Sequence, residues 1–150
     1  MRKSVLILLM LTVGTFGATA QQKPPTLTPP ELQTFWSNSK GGTIPLELVL
    51  NMIDSTIWVI DGSKMKLSIS RFMLVYRSRD RFEDEQTGEI KTRYNNTSVN
   101  IKNAGVPEEK WRKMLYENLK AGDEIWFTDI IVKDKRGNFF KAPDLKVVVN

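Results

Sequence analysis

β-Branched and aromatic residues crowd the last third of the chain, in Ile125-Trp126-Phe127-Thr128-Asp129-Ile130-Ile131-Val132 and again in Leu145-Lys146-Val147-Val148-Val149. Runs of this kind predict two strands. Between them Arg136-Gly137-Asn138 supplies residues that tolerate the positive φ of a tight connection, so the pair reads as a hairpin. The preceding segment has a different period. Trp111, Leu115 and Leu119, with Met114 beside them, recur at three-to-four spacing and predict an amphipathic helix whose apolar stripe is buried on the sheet. Pro107 suits its first position, Glu108 and Glu109 suit its positive end, Lys120 closes it, and Gly122 is expected to stop it.

Further upstream, Ile44, Leu46, Leu48, Leu50 and Met52 alternate with Pro45, Glu47, Val49 and Asn51. That predicts a half-buried strand with Pro45 near its start or on an edge. Thr56 to Ile60 is a short strand ended by Asp61-Gly62, after which Met65, Leu67 and Ile69 resume the alternation. Beyond Ser70 the phase slips, since Phe72, Leu74 and Tyr76 share one parity and Met73 and Val75 the other. Either a bulge shifts the register there or both faces are covered. Arg77 to Tyr94 is highly charged and reads as a protruding hairpin with its tip near Gly88. Asn95 to Asn103 is polar, with Val99 and Ile101 its only large apolar residues. Five to seven strands and one helix favour a mainly-β fold, an antiparallel β-sandwich with that helix before the C-terminal hairpin.

The N-terminus is of another kind. Arg2 and Lys3 precede an apolar run from Val5 to Val13, and Ala18-Thr19-Ala20 forms a small-x-small site. Residues 1–20 therefore read as a cleavable signal peptide, too short to span a bilayer, which takes roughly 20 apolar residues. The expected location is periplasmic or secreted, with no membrane span after cleavage. Gln21 to Pro30 holds four prolines, and residues 21–42 read as a Pro-rich leader or linker ahead of a β domain over 43–150. Within that leader, Glu31 to Lys40 fits either one turn of amphipathic helix or a stretch laying Phe35 and Trp36 on the domain edge. The chain has no cysteine, so neither disulfides nor a lipid-modified N-terminal cysteine is available to it. Of 22 basic residues, Arg2 and Lys3 leave with the signal, so 20 face 17 acidic ones and the net charge is +3. That is too mild a balance to point to nucleic acid.

The chain also lacks histidine, which together with the absent thiols removes histidine-based triads, thiol enzymes and most zinc sites. Neither a metal site nor a cofactor is expected. Paired carboxylates remain as the enzymatic option. Asp123, Glu124, Asp129 and Asp134 lie along one arm of the terminal hairpin, and Asp129 would need a second carboxylate across the sheet, with Asp144 the candidate. The structural reading needs only a main-chain N–H or a lysine for Asp129. Arg77, Arg79 and Arg81 on the charged hairpin are either a docking element or a solvated face. Among the four tryptophans, Trp58 and Trp111 read as core, and Trp36, beside the Pro-rich leader, reads as the interface anchor.

The run Leu119-Lys120-Ala121-Gly122-Asp123-Glu124-Ile125-Trp126-Phe127-Thr128-Asp129-Ile130-Ile131-Val132-Lys133, followed by Gly137, Pro143 and a final strand, resembles the C-terminal domain of the gliding-motility proteins of the GldM family. The order of elements upstream, from about residue 64, agrees. Each residue quoted also has a structural reading, with Gly122 as cap, Phe127 and Ile130 as core, and Asp129 as the tie of a turn. The resemblance implies an immunoglobulin-like β-sandwich and a non-catalytic role in the type IX secretion and gliding machinery of the Bacteroidetes envelope. This chain is expected to differ in having no long multidomain body and in a hydrophobic N-terminus that is cleaved where that family keeps a membrane helix. The expectation is thus an exported protein-binding module, an accessory or adaptor with an envelope protein as partner. The alternatives are a carboxylate-based glycan-active or glycan-binding protein, and an exported structural or inhibitor domain. Self-association is left open.

Overall fold

The computed structural model of the chain describes residues 30–103 and 105–150. The expected signal peptide over 1–20, and residues 21–29 of the leader, lie outside the described residues. The elements run β1 (Leu32–Trp36), β2 (Gly42–Ile44), α1 (Leu46–Met52), β3 (Ile57–Asp61), β4 (Lys66–Glu83), β5 (Ile90–Lys102), α2 (Glu109–Asn118), β6 (Glu124–Lys133), β7 (Phe139–Lys141) and β8 (Leu145–Val149). Among the described residues the strands form one curled, mixed eight-stranded sheet in the order β1-β3-β4-β6-β8-β2, with β5 beside β4 and β7 beside β6. The fold is mainly β. Every pairing is antiparallel except β2 with β8.

The leader expected over 21–42 runs into the fold. Its Leu32 to Trp36 pair with β3 from end to end, and Thr34 Oγ1 donates to the Pro143 carbonyl at 2.7 Å. The strand expected over Ile44 to Met52 is instead a three-residue strand followed by a helix, so there are two helices where one was expected. Pro45 makes the difference. Its φ of −57° starts a helix at Leu46, and its missing N–H costs the β8 ladder nothing, since Ile44 O accepts from the Asn150 N–H and the Leu46 N–H donates to Asn150 O. Leu46, Val49, Leu50 and Ile53 then share a face at helical spacing, with Val49 and Ile53 buried and Leu48 left outside. So apolar a run satisfies both periods, and the choice falls to the proline.

The slip after Ser70 is a bulge, and β6 carries its complement. Ile69 faces Val132 but Arg71 faces Ile131, which leaves Ser70 as an extra residue on β4; Met73 then faces Thr128, which leaves an extra residue on β6 at Asp129-Ile130. The two bulges cancel, and the same register holds on either side. Asp129 takes the left-handed conformation this bend needs, with φ 49°. Because of the shift, Ile69, Phe72, Leu74 and Tyr76 all point inward despite their mixed parity.

The core lies on this inner face. Trp36, Phe72 and Phe127 form an aromatic cluster, with Trp36 5.0 Å and Phe72 5.9 Å from the Phe127 ring. Ile125, Ile130, Val132 and Val147 are fully buried around it. Leu115 joins the core from α2 and Leu119 from just past its end, as the stripe predicted, while Trp111 and Met114 are only partly buried. Each such aliphatic side chain contributes about 1.5–3 kcal/mol by leaving water.

Candidate functional site

The two faces of β4 divide the functional question. Its inner side leads to a buried carboxylate, Asp123, which is 0 % exposed. Asp123 Oδ1 accepts from the Arg79 N–H at 2.8 Å, and Oδ2 accepts from the Tyr76 hydroxyl at 2.7 Å and the Lys120 N–H at 3.1 Å. The main chain closes the knot, with the Gly122 N–H donating to Val149 O and the Val149 N–H donating to Asp123 O. One carboxylate thus ties β4, the end of α2 and β8 together. Burial, and then the hydrogen bond to Asp123, push the Tyr76 hydroxyl well above the usual tyrosine range.

This knot corrects the expected helix limits. The first helical residue is Glu109, not Pro107, and the helix ends at Asn118 with Leu119 already extended. Gly122 is therefore not the helix stop. Asp123 captures the Lys120 N–H and draws the chain out of the helix, and Gly122 serves the turn that follows, with φ +92°. A Cβ on Gly122 would lie 3.0 Å from Arg79 Cδ and Nη1, because the Arg79 side chain covers this position.

The outer side of β4 is a face of a different composition. Register places Met73, Val75 and Arg77 beside Thr128, Trp126 and Glu124 of β6 on one side and beside Asn100, Ser98 and Asn96 of β5 on the other. Lys146 of β8 lies across from Trp126. Trp126 is held in place, since its indole N–H donates to Glu124 Oε2 at 2.9 Å and the Lys146 ammonium sits 4.6 Å from its ring centre. Glu124 also pairs with Lys146 at 2.8 Å and with Arg77 at 3.3 Å. Burial raises the Glu124 pKa, but the hydrogen bonds from Lys146 and Trp126 outweigh it and hold the carboxyl below its usual range.

Past Arg77↔Glu124 the partner strand β6 ends and β4 continues with β5 alone, forming a two-stranded arm. Its turn lies between Asp84 and Glu89, as expected from Gly88, and the Asp84 N–H donates to Glu89 O. Arg77, Arg79 and Arg81 are two residues apart and fall on one face of this strand. The Arg77 guanidinium stacks 4.1 Å from the Tyr94 ring centre, Arg79 covers the Gly122 turn, and Arg81 is exposed. Phe82 and Ile90 near the tip are 45 % and 61 % exposed.

Other candidates are used up by the fold. Trp36, the expected interface anchor, is 2 % exposed, and its N–H donates to Ser55 O at 3.2 Å. Strand β1 turns it inward, so it anchors the core and no partner. Trp58 is a partly covered outer residue that stacks on Phe35 at 4.2 Å. Asp129 is exposed and bonded to Lys141 Nζ at 3.1 Å, which raises the lysine pKa. Asp134 accepts from the N–H groups of Arg136 and Asn138 and holds the turn that contains Gly137. The terminal carboxylates therefore have separate occupations, and no group of acidic side chains suited to a metal ion occurs among the described residues. Phe127 and Ile130 fill the core as expected.

Sequence reading missed the contribution of Tyr94, Asn96, Ser98 and Asn100. Their alternation with Thr97, Val99 and Ile101 is a period-two signal, masked by the low apolar content of the segment. No helix among the described residues is long and apolar enough to cross a membrane. No protein-family model matches the chain, and no curated protein matches it.

Proposed function

We propose that this domain is a non-catalytic protein-binding module, an accessory or adaptor of the bacterial envelope, linked to the type IX secretion and gliding machinery. Two things support the reading: the resemblance of Leu119 to Lys133 to the C-terminal domain of GldM-family proteins, and the shape of the β4–β5 ribbon. The ribbon is the observation that carries it. An arm that outruns its neighbouring strands, with three arginines on one face and apolar groups near its tip, buries little within its own domain. Such an element suits contact with a second protein. Export through residues 1–20 would bring it to the periplasm or beyond.

The test is in-cell photo-cross-linking from Arg81 and Tyr94, with captured proteins identified by mass spectrometry. Recovery of type IX secretion or gliding components is expected. Recovery of abundant bystanders alone from a folded protein would overturn the proposal. Glycan binding has Trp126 beside Asn96 and Arg77 in its favour. Retention on peptidoglycan or glycan columns that is unchanged in Trp126→Ala would remove that reading.

A further inference from the structure

The outer face contains a cavity of about 250 Å³ lined by Met73, Val75, Arg77, Asn96, Trp126 and Thr128. Met73 and Val75 make its floor and Trp126 its wall, so the surface it offers is almost wholly apolar. Glu124 and Lys146 hold that wall before anything binds, which lowers the ordering cost of filling it. Two polar atoms of the lining, Thr128 Oγ1 and Arg77 Nε, have no hydrogen-bond partner among the described residues.

The rim is basic. Arg71 and Lys102 face each other at one end of the face, and Arg79 and Arg81 continue it along the arm. None of these four forms an ion pair among the described residues. The one acid beside the cavity, Glu124, is already shared by Lys146 and Arg77. From Arg71 to Arg81 the strand spans about 33 Å at the usual rise per residue, the reach of an extended segment of similar length.

From this charge balance and the apolar cavity we infer that the outer face binds an acidic polypeptide segment, which seats one large apolar side chain between Met73, Val75 and Trp126. The inference rests on the protein-binding reading above and names the partner's chemistry. Acidic side chains flanking the anchor meet Arg71, Arg79, Arg81 and Lys102, none of which has an ion-pair partner among the described residues. Residues 21–29 contain no acidic residue, so the chain's own leader does not have this chemistry.

The experiment is a peptide-phage selection on the purified protein, followed by fluorescence anisotropy with the selected peptides. Expected are sequences with several Asp or Glu around one Leu, Ile, Phe or Trp, whose affinity falls as salt rises from about 50 to about 300 mM. Val75→Glu, which fills the apolar cavity and places a negative charge in it, should weaken binding about tenfold or more. The exposed pair Arg71→Glu and Arg81→Glu leaves the cavity intact and should weaken binding while melting like the parent. Selected peptides that are neutral or basic, or that bind both variants undiminished, overturn the inference. A partner still cross-linked from Arg81 in a Val75→Glu strain would do so too, while leaving the binding-module reading standing.

Discussion

Replacing Asp123 with alanine removes one acceptor from three donors: the Tyr76 hydroxyl at 2.7 Å, the Arg79 N–H at 2.8 Å and the Lys120 N–H at 3.1 Å. The tyrosine has a second acceptor in reach, Asn118 O at 3.1 Å, so the two main-chain donors dominate the loss. Each donor stranded away from water costs about 1–3 kcal/mol, and release of the buried carboxylate from its own desolvation offsets part of the sum. A net loss of about 3 kcal/mol is expected, in the range of mutations that break a buried network. For a domain of this size that is a fall in Tm of about 12 °C. Asp123→Asn keeps an oxygen for one donor but turns an NH₂ towards another, and should lose about 1–2 kcal/mol. Thermal and urea melts followed by circular dichroism give the energies, and hydrogen exchange reads the Arg79 and Lys120 amides directly. A Tm within about 3 °C of the parent, or unchanged protection of both amides in Asp123→Ala, would refute the assignment of this carboxylate as the knot.

Gly41 and Gly42 share φ near +90°, yet a Cβ at Gly41 would run into the Lys146 carbonyl oxygen while one at Gly42 meets nothing within 4 Å. Gly42→Ala should cost about 1 kcal/mol and Gly41→Ala about 2–3 kcal/mol; equal urea midpoints would show that β8 moves aside freely. Gly122→Val combines left-handed backbone with the approach of Arg79 and should destabilise by about 2 kcal/mol or more, of which Arg79→Ala in the same chain restores only the steric part. Tyr76, whose pKa is raised by burial and by Asp123, contributes stability that is intact below the unfolded tyrosine value of about 10 and declines as pH rises towards the folded one. Between about pH 10 and the folded value the parent should lose stability more steeply than Tyr76→Phe in pH-dependent melts. Glu124 has the opposite sign. Its depressed pKa stabilises the fold above the ordinary value of 4.5, and that contribution is lost as pH falls through the folded value, so Lys146→Ala should move its NMR titration upward.

The resemblance and the composition bear on different parts of this molecule. Absent histidine and cysteine limit the chemistry regardless of fold, and the terminal run from Leu119 to Lys133 suggested a family. Neither indicated that Asp123 was the buried residue and Asp129 the exposed one. Only the bulge at Asp129-Ile130, and the approach of β4 and the α2 end to Asp123, separate their roles.

The mainly-β class, the two terminal strands, the charged arm with its tip near Gly88 and the stripe of α2 were all legible in the chain, because each depends on the period of local residues and on turn chemistry. The turn at Arg136-Gly137-Asn138, expected to join those two strands, instead closes β6 onto β7, and β8 pairs with the other half of β6. The helix over Leu46–Met52, the burial of Trp36 and the outer face around Trp126 were not legible. A run that is apolar at nearly every position fits two periods, so the fixed φ of Pro45 decides between them. Whether an aromatic lies in or out depends on which strand its own strand pairs with, and Trp36 went inward because β1 found β3. The candidate surface is assembled from the β4–β5 hairpin and from β6 and β8, which lie far from it in sequence, and its row of neighbours exists only once register is set. Local periodicity is a property of the chain itself, whereas register and the pairing of distant strands are properties of the folded whole.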